Sequence, residues 1–161
     1  MARIKVGSRI PNATLQQMGK GGPSTITTKE LFGGKKVALF SVPGAFTPTC
    51  SNMHLPGYVK QARALKAKGI DTIACLAVND AYVMGAWGKD RKVGDKVMML
   101  ADGSGKFTEK LGLGVDYSKY GLGKRGQRFS MVVENGVVTR LNVEPGGGLK
   151  VSDAETLLSQ L

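Results

Sequence analysis

Two short apolar runs constrain this chain more than any other feature. Val37-Ala38-Leu39-Phe40-Ser41-Val42 and Ile73-Ala74-Cys75-Leu76-Ala77-Val78 contain almost no polar residue. A half-exposed strand would alternate apolar and polar positions, so runs like these predict strands buried on both faces. Such strands need cover above and below. Between them Tyr58, Ala62 and Leu65 recur at i, i+4 and i+7, a helical stripe that Gly69 stops. Strand, helix, strand is therefore the first unit of the fold.

The rest of the chain continues the alternation. Thr14 to Met18 and Thr25 to Thr27 read as short early strands, and Thr28 as the cap of a helical turn over Glu30-Leu31-Phe32 that Gly33-Gly34 ends. Asn79-Asp80 is an N-cap signal for a helix over Ala81 to Gly88. Lys96 to Leu100 reads as a strand and Lys106 to Leu111 as a helix. Asn135-Gly136 joins Arg128 to Glu134 and Val137 to Val143 in a hairpin, since both turn residues tolerate φ > 0. Ser152-Asp153-Ala154-Glu155 fits a capping box before a closing helix lined by Ala154, Leu157, Leu158 and Leu161. A βαβ start with a ββα finish outlines an α/β, thioredoxin-like fold: a mixed central sheet flanked by helices. With 161 residues and no linker, repeat or low-complexity tract, the chain reads as a single domain over residues 1–161.

Composition narrows the function classes. The longest apolar run is Ile73 to Val78, whereas a membrane-spanning helix takes ~20 such residues. The N-terminus, Met1 to Arg9, is basic but no apolar stretch follows, so it does not read as a secretory signal. The cytoplasm is the default address, with a processed transit peptide as the alternative. The 23 Lys+Arg against 12 Asp+Glu give a net charge of +11. No long basic run is present, and at 6% aromatics are too few to stack many bases. The charge reads as a solvated surface rather than a specific nucleic-acid site; polyanion binding is an alternative that would weaken steeply with salt. One histidine and two cysteines make a four-ligand zinc site unattainable without carboxylates, and no cofactor or metal is expected. Gly112-Leu113-Gly114-Val115 lacks the third glycine of a dinucleotide fingerprint.

The chemistry concentrates in Val42-Pro43-Gly44-Ala45-Phe46-Thr47-Pro48-Thr49-Cys50-Ser51, a loop that leaves a buried strand and opens a helix. A cysteine in a helix's first turn faces unpaired N–H groups and the positive end of the helix dipole, which favour the nucleophilic thiolate. Thr47 stands where a Cys-x-x-Cys motif would carry its first thiol, so no neighbouring sulfur can close a local disulfide. Its hydroxyl can accept a hydrogen bond from a substrate O–H and donate one to the thiolate. A helix end supplies only ~0.3–1 kcal/mol, and a hydrogen bond to a charged group ~1.5–3 kcal/mol. Activation therefore calls for a cation at the sulfur as well, and an arginine suits that place because it cannot lose its charge.

These residues resemble the peroxiredoxin signature Pro-x-x-x-Thr-x-x-Cys, present as Pro43, Thr47 and Cys50. The extension through His54-Leu55-Pro56-Gly57-Tyr58 resembles the type II branch. So do Val78-Asn79-Asp80-Ala81-Tyr82-Val83-Met84, Arg128 to Val133, and Leu141-Asn142-Val143-Glu144-Pro145-Gly146. The resemblance spans essentially the whole chain. It implies a thiol peroxidase that reduces hydrogen peroxide or an alkyl hydroperoxide. Cys50 would be the peroxidatic cysteine, Thr47 would orient the peroxide, Pro43 would shield the sulfur, and Arg128 would support the thiolate and polarise the peroxide. It also implies glutathione/glutaredoxin or thioredoxin as reductant, a homodimer, and no metal, haem or flavin. A redox sensor or holdase, in which oxidised Cys50 signals to a partner protein, is the alternative from another class.

Other residues have plainer readings. Cys75, within a buried run, reads as a small core residue rather than a resolving thiol. No cysteine lies in Gly148-Leu149-Lys150-Val151-Ser152, so the outside thiol is favoured over an intramolecular disulfide. His54 falls four residues after Cys50, on the same face of a regular helix, and reads as a supporting residue. Lys124, Arg125 and Arg140 read as solvated. Trp87 and Phe46 read as core, dimer contact or pocket mouth, and Tyr82-Val83-Met84 as packing.

Overall fold

In the computed structural model, which describes residues 2–161, seven strands form one mixed sheet in the order β2-β1-β5-β4-β3-β8-β9. Met1, the first residue of the basic N-terminal stretch, lies outside the described residues. The strands are β1 Thr14–Gly19, β2 Gly22–Thr27, β3 Lys36–Ser41, β4 Thr72–Ala77, β5 Met98–Ala101, β8 Phe129–Glu134 and β9 Val137–Val143. The two apolar runs sit at the centre: β3 lies between β4, which is parallel to it, and β8, which is antiparallel. Their side chains alternate between two cores. Ala38 and Phe40 join one with α2 (Leu55–Ala67) and α3 (Ala81–Asp90). Val37 and Leu39 join the other with α1 (Thr28–Phe32) and α4 (Lys106–Lys110). Full burial on both faces is why these strands carry no polar alternation.

Local chemistry sets the element ends, with two shifts from the sequence reading. The cap of α1 is Thr27, one residue before the expected Thr28. Thr27 and Glu30 complete a capping box, and the Thr28 hydroxyl instead donates to the Pro11 carbonyl. The cap of α5 (Ala154–Ser159) is Asp153 rather than Ser152. The Ser152 hydroxyl is drawn to the Glu144 carboxylate, 2.7 Å away. At the terminal hairpin Asn135 and Gly136 have φ of 47° and 80°, the left-handed pair that a tight turn requires.

Sequence patterning missed a two-stranded ribbon of β6 (Gly114–Asp116) and β7 (Lys124–Gly126). Three-residue strands carry too little periodicity to read. The expected strand over Lys96 to Leu100 begins at Met98, and the strand expected over Thr25 to Thr27 begins at Gly22. Among the described residues no helix is long and apolar enough to cross a membrane.

Candidate active site

Topology brings the chemistry together. β3 ends at Ser41 and delivers the Pro43–Thr49 loop at its C-terminal end, in the middle of the sheet. Ser41 pairs with Phe129 across the antiparallel β3–β8 ladder. Arg128, the residue before β8, therefore emerges at that same end although it lies 78 positions from Cys50. Its Nη2 donates to Cys50 Sγ at 3.2 Å, and its Nη1 donates to His54 Nδ1 at 3.0 Å. Cys50 is fully buried and Arg128 is 5% exposed. A charge-assisted hydrogen bond in such a setting is stronger than the same bond in water. Arg128 Nε is buried without a hydrogen-bond partner among the described residues.

Cys50 does not open a regular α-helix. Residues Cys50–His54 form a π-turn in which Leu55 N–H bonds to the Cys50 carbonyl, five residues back. Pro56 stands just inside α2 and has no N–H to offer the Asn52 carbonyl, so the ordinary ladder is interrupted there. The expectation that His54 stacks one regular turn from Cys50 fails for this reason. The widened turn instead lets one planar guanidinium reach both side chains.

The tautomer of His54 follows from its neighbours. Arg128 can only donate, so Nδ1 accepts; the Ser152 carbonyl, 3.0 Å from Nε2, can only accept, so Nε2 carries the proton. Burial, with the Arg128 charge adding to it, pushes the His54 pKa down from 6.5 to about 3. The imidazole is thus a fixed neutral acceptor that orients Arg128. Tyr58 Oη donates to the same Ser152 carbonyl at 2.8 Å, and burial pushes its phenol up. Ser152 is held in turn by Glu144, whose Oε2 accepts the backbone N–H groups of Val151 and Ser152, each at 2.8 Å. Burial would raise the Glu144 carboxyl, but the bonds from Ser152, Val151 and Lys150 outweigh it and hold the pKa below its ordinary range. Glu144 N–H bonds to the Arg128 carbonyl at 3.0 Å, which closes a ring of contacts around the guanidinium. Glu144 and Ser152 were legible in the sequence only as a motif fragment and a helix cap.

The stability of this ring depends on pH. Between pH 6.5 and about 3 the unfolded chain protonates His54 and the folded protein does not. Stability is therefore complete above 6.5 and is lost as pH falls, by ~1.4 kcal/mol per unit from this group. Glu144 acts in the same direction at lower pH, because protonation weakens its bonds to residues 150–152. We expect the urea midpoint of unfolding to fall between pH 7 and pH 5, and His54→Gln to flatten that slope. An unchanged slope in the variant would show that His54 is not the group responsible.

The remaining loop contacts fix the approach to the sulfur. Thr47 Oγ1 donates to the Gly44 carbonyl at 2.7 Å. Its hydrogen is therefore directed away from Cys50, and its lone pairs remain free to accept from a substrate O–H. Ala45 N–H bonds to Asn79 Oδ1, and Trp87 Nε1 donates to Ser51 Oγ at 2.9 Å. Trp87 is a fully buried core residue, whereas Phe46 is 51% exposed. Phe46 has φ of 64°, an uncommon conformation for a bulky residue, and its ring lies 6.5 Å from that of Trp87. Arg125 does not match its reading as a solvated residue. It donates from Nη1 to the Pro43 carbonyl at 3.2 Å and from Nε to the Leu122 carbonyl at 2.9 Å. Cys75 is fully buried in β4. Burial, with Cys50 nearby, raises its thiol well above the ordinary value, against the lowering effect of Arg128. Both cysteines are free.

Comparison with known proteins gives a consistent picture. A family model described as Redoxin matches residues 5–158. Peroxiredoxin-2E, chloroplastic, of Arabidopsis thaliana is 49% identical over 99% of this chain and 70% of its own length. Peroxiredoxin-2D of the same plant is 47% identical over the full length of both. Among solved structures, reduced Prx3 from Vibrio vulnificus in complex with hydrogen peroxide superposes with a TM-score of 0.94. It is 53% identical, with 98% of each chain covered.

Proposed function

The chain belongs to the redoxin family as a type II peroxiredoxin, a thiol peroxidase, and we propose that Cys50 is its peroxidatic cysteine. The observation that carries this reading is the 3.2 Å bond from Arg128 to the buried Cys50 sulfur. The Cys50 thiolate attacks one peroxide oxygen. The O–O bond breaks, and the leaving oxygen takes a proton to become water or an alcohol. Sulfur keeps the other oxygen as sulfenic acid, having given up two electrons. Thr47 accepts the peroxide O–H. The Arg128 guanidinium at the sulfur stabilises the negative charge that develops on the oxygens. Pro43, at the head of the loop, shields the sulfur from water.

Regeneration follows from the position of Cys75. A fully buried thiol whose proton is held tightly is a poor resolving group. An outside thiol therefore condenses with the sulfenic acid, releases water and leaves a mixed disulfide. A second thiol then frees Cys50. Glutathione with glutaredoxin is the proposed source, with thioredoxin as the alternative. A cytoplasmic setting agrees with two free cysteines. The exposed Phe46 ring beside the loop offers an apolar contact for a homodimer.

Free-thiol titration with intact mass, before and after one equivalent of hydrogen peroxide, tests this cycle. The expected result is one added oxygen per chain with one thiol remaining. Loss of both thiols with a loss of two hydrogens would instead make Cys75 the resolving partner and thioredoxin the likelier reductant class to pursue.

A further inference from the structure

Beside the Cys50 loop lies a cavity of about 350 Å³ lined by Val78, Gly103, Thr108, Lys124 and Arg125 among others. That volume falls in the range of small-molecule sites. Val78 follows β4 as the Pro43 loop follows β3, so the cavity lies at the same C-terminal ends of these parallel strands as the site.

Arg125 is the wall shared by cavity and loop. A guanidinium has five N–H donors. Arg125 uses one on the Pro43 carbonyl and one on Leu122, and the other donors have no protein acceptor among the described residues. It also makes no ion pair within 4 Å: the one found among the described residues joins Arg91 to Asp90. Two carboxylates line the same cavity. Asp116 is engaged by the Ser118 N–H and hydroxyl, and Glu109 is exposed on α4. The guanidinium lies close to where substrate must sit. A Cβ placed on Gly44 would meet Arg125 Nη1 at 2.9 Å and the Thr47 methyl at 3.3 Å. Only the bare Cα of Gly44 therefore separates Arg125 from the threonine proposed to hold the peroxide.

We propose that this cavity is a carboxylate subsite, in which Arg125 binds the acidic end of the molecule reacting at Cys50. A planar fork with unsatisfied donors matches a carboxylate bidentately. The inference rests on Cys50 being the reacting residue. Two sources share the chemistry: a hydroperoxide that carries a carboxylate, and a thiol reductant that carries one, such as glutathione. Lys124 adjoins Arg125 but faces Asp116 across the β6–β7 ribbon, so Arg125 is the cation of the cavity left without a carboxylate partner among the described residues.

The test compares ratios, because Arg125 also braces the loop. In Arg125→Gln and the wild type, kcat/KM would be measured for a fatty-acid hydroperoxide and for tert-butyl hydroperoxide. The reductant half-reaction would be measured with glutathione and with 2-mercaptoethanol. A lost brace lowers both members of a pair alike. A lost subsite lowers the carboxylate member about tenfold or more relative to the neutral one. The pair whose ratio falls identifies the source. Ratios unchanged within twofold in both pairs overturn the subsite. If the variant fails to fold, the wild type decides the question. S-methylglutathione and octanoate should then compete with the respective substrate, and competition by neither overturns the proposal. Failure of the Cys50 reading would appear elsewhere, as peroxide turnover that survives loss of the Cys50 sulfur.

Discussion

Cys50→Ser is expected to lower peroxide turnover at least a thousandfold, on the order of what removing a catalytic nucleophile costs. Cys75→Ser is expected to retain it. Reduction of an O–O bond takes two electrons from the attacking atom. A thiolate surrenders them readily as it becomes a sulfenic acid, whereas a serine hydroxyl does not. In the proposed mechanism Thr47 and Arg128 orient and polarise the peroxide but supply no electrons, so they are not expected to rescue the variant. Cys75 is not expected to take over, because it lies inside the central strand β4, where burial pushes its thiol well above its ordinary value. Steady-state peroxide consumption with glutathione and glutaredoxin reads both variants. Turnover retained in Cys50→Ser would remove the proposed mechanism, and turnover lost in a folded Cys75→Ser would make that residue a participant.

Arg128→Gln carries the next largest effect. It deletes the donor 3.2 Å from Cys50 Sγ and the donor 3.0 Å from His54 Nδ1. Loss of a hydrogen bond to a charged group costs ~1.5–3 kcal/mol, or roughly 10- to 150-fold in kcat/KM. The buried His54 nitrogen is then left without a donor, which costs folding stability of the order of 1–3 kcal/mol as well. Arg128→Lys is expected to recover little, because one ammonium cannot meet both acceptors in the planar geometry of the fork. Alkylation of Cys50 by iodoacetamide at pH 7 should slow in parallel with kcat/KM, and a thermal melt controls for folding. An alkylation rate equal to that of the wild type would confine Arg128 to a structural role.

The ring around Arg128 is where the sequence reading reached its limit. Pro43, Thr47 and Cys50 lie within eight residues of one another and announce their chemistry as a string. Glu144 and Ser152 do not. Each has an ordinary local explanation, as part of a Glu-Pro-Gly turn and as a helix cap. Their link to the site runs through backbone atoms: the Glu144 N–H on the Arg128 carbonyl, and the Ser152 carbonyl beneath His54. Backbone groups are the same in every residue, so no side-chain pattern marks them. Arg125 was misread for a related reason. An arginine next to a lysine in a glycine-rich stretch looks solvated until the β6–β7 ribbon, itself too short to show periodicity, turns it toward Pro43.

By itself the sequence marked the buried central strands, most of the helices and the loop that carries Cys50. Unbroken apolar runs must be buried on both faces, and a cysteine in the loop after such a strand must emerge at that strand's C-terminal end. The sequence resemblance already pointed to Arg128 as the cation at that sulfur; only the tertiary structure showed how it gets there and what holds it. The antiparallel register of β3 and β8 sets Ser41 opposite Phe129 and so brings Arg128 to Cys50. The π-turn imposed ahead of Pro56 then opens the helix far enough for one guanidinium to bind Cys50 and His54 together. Strand register depends on contacts between segments far apart in the chain, and local sequence does not contain them.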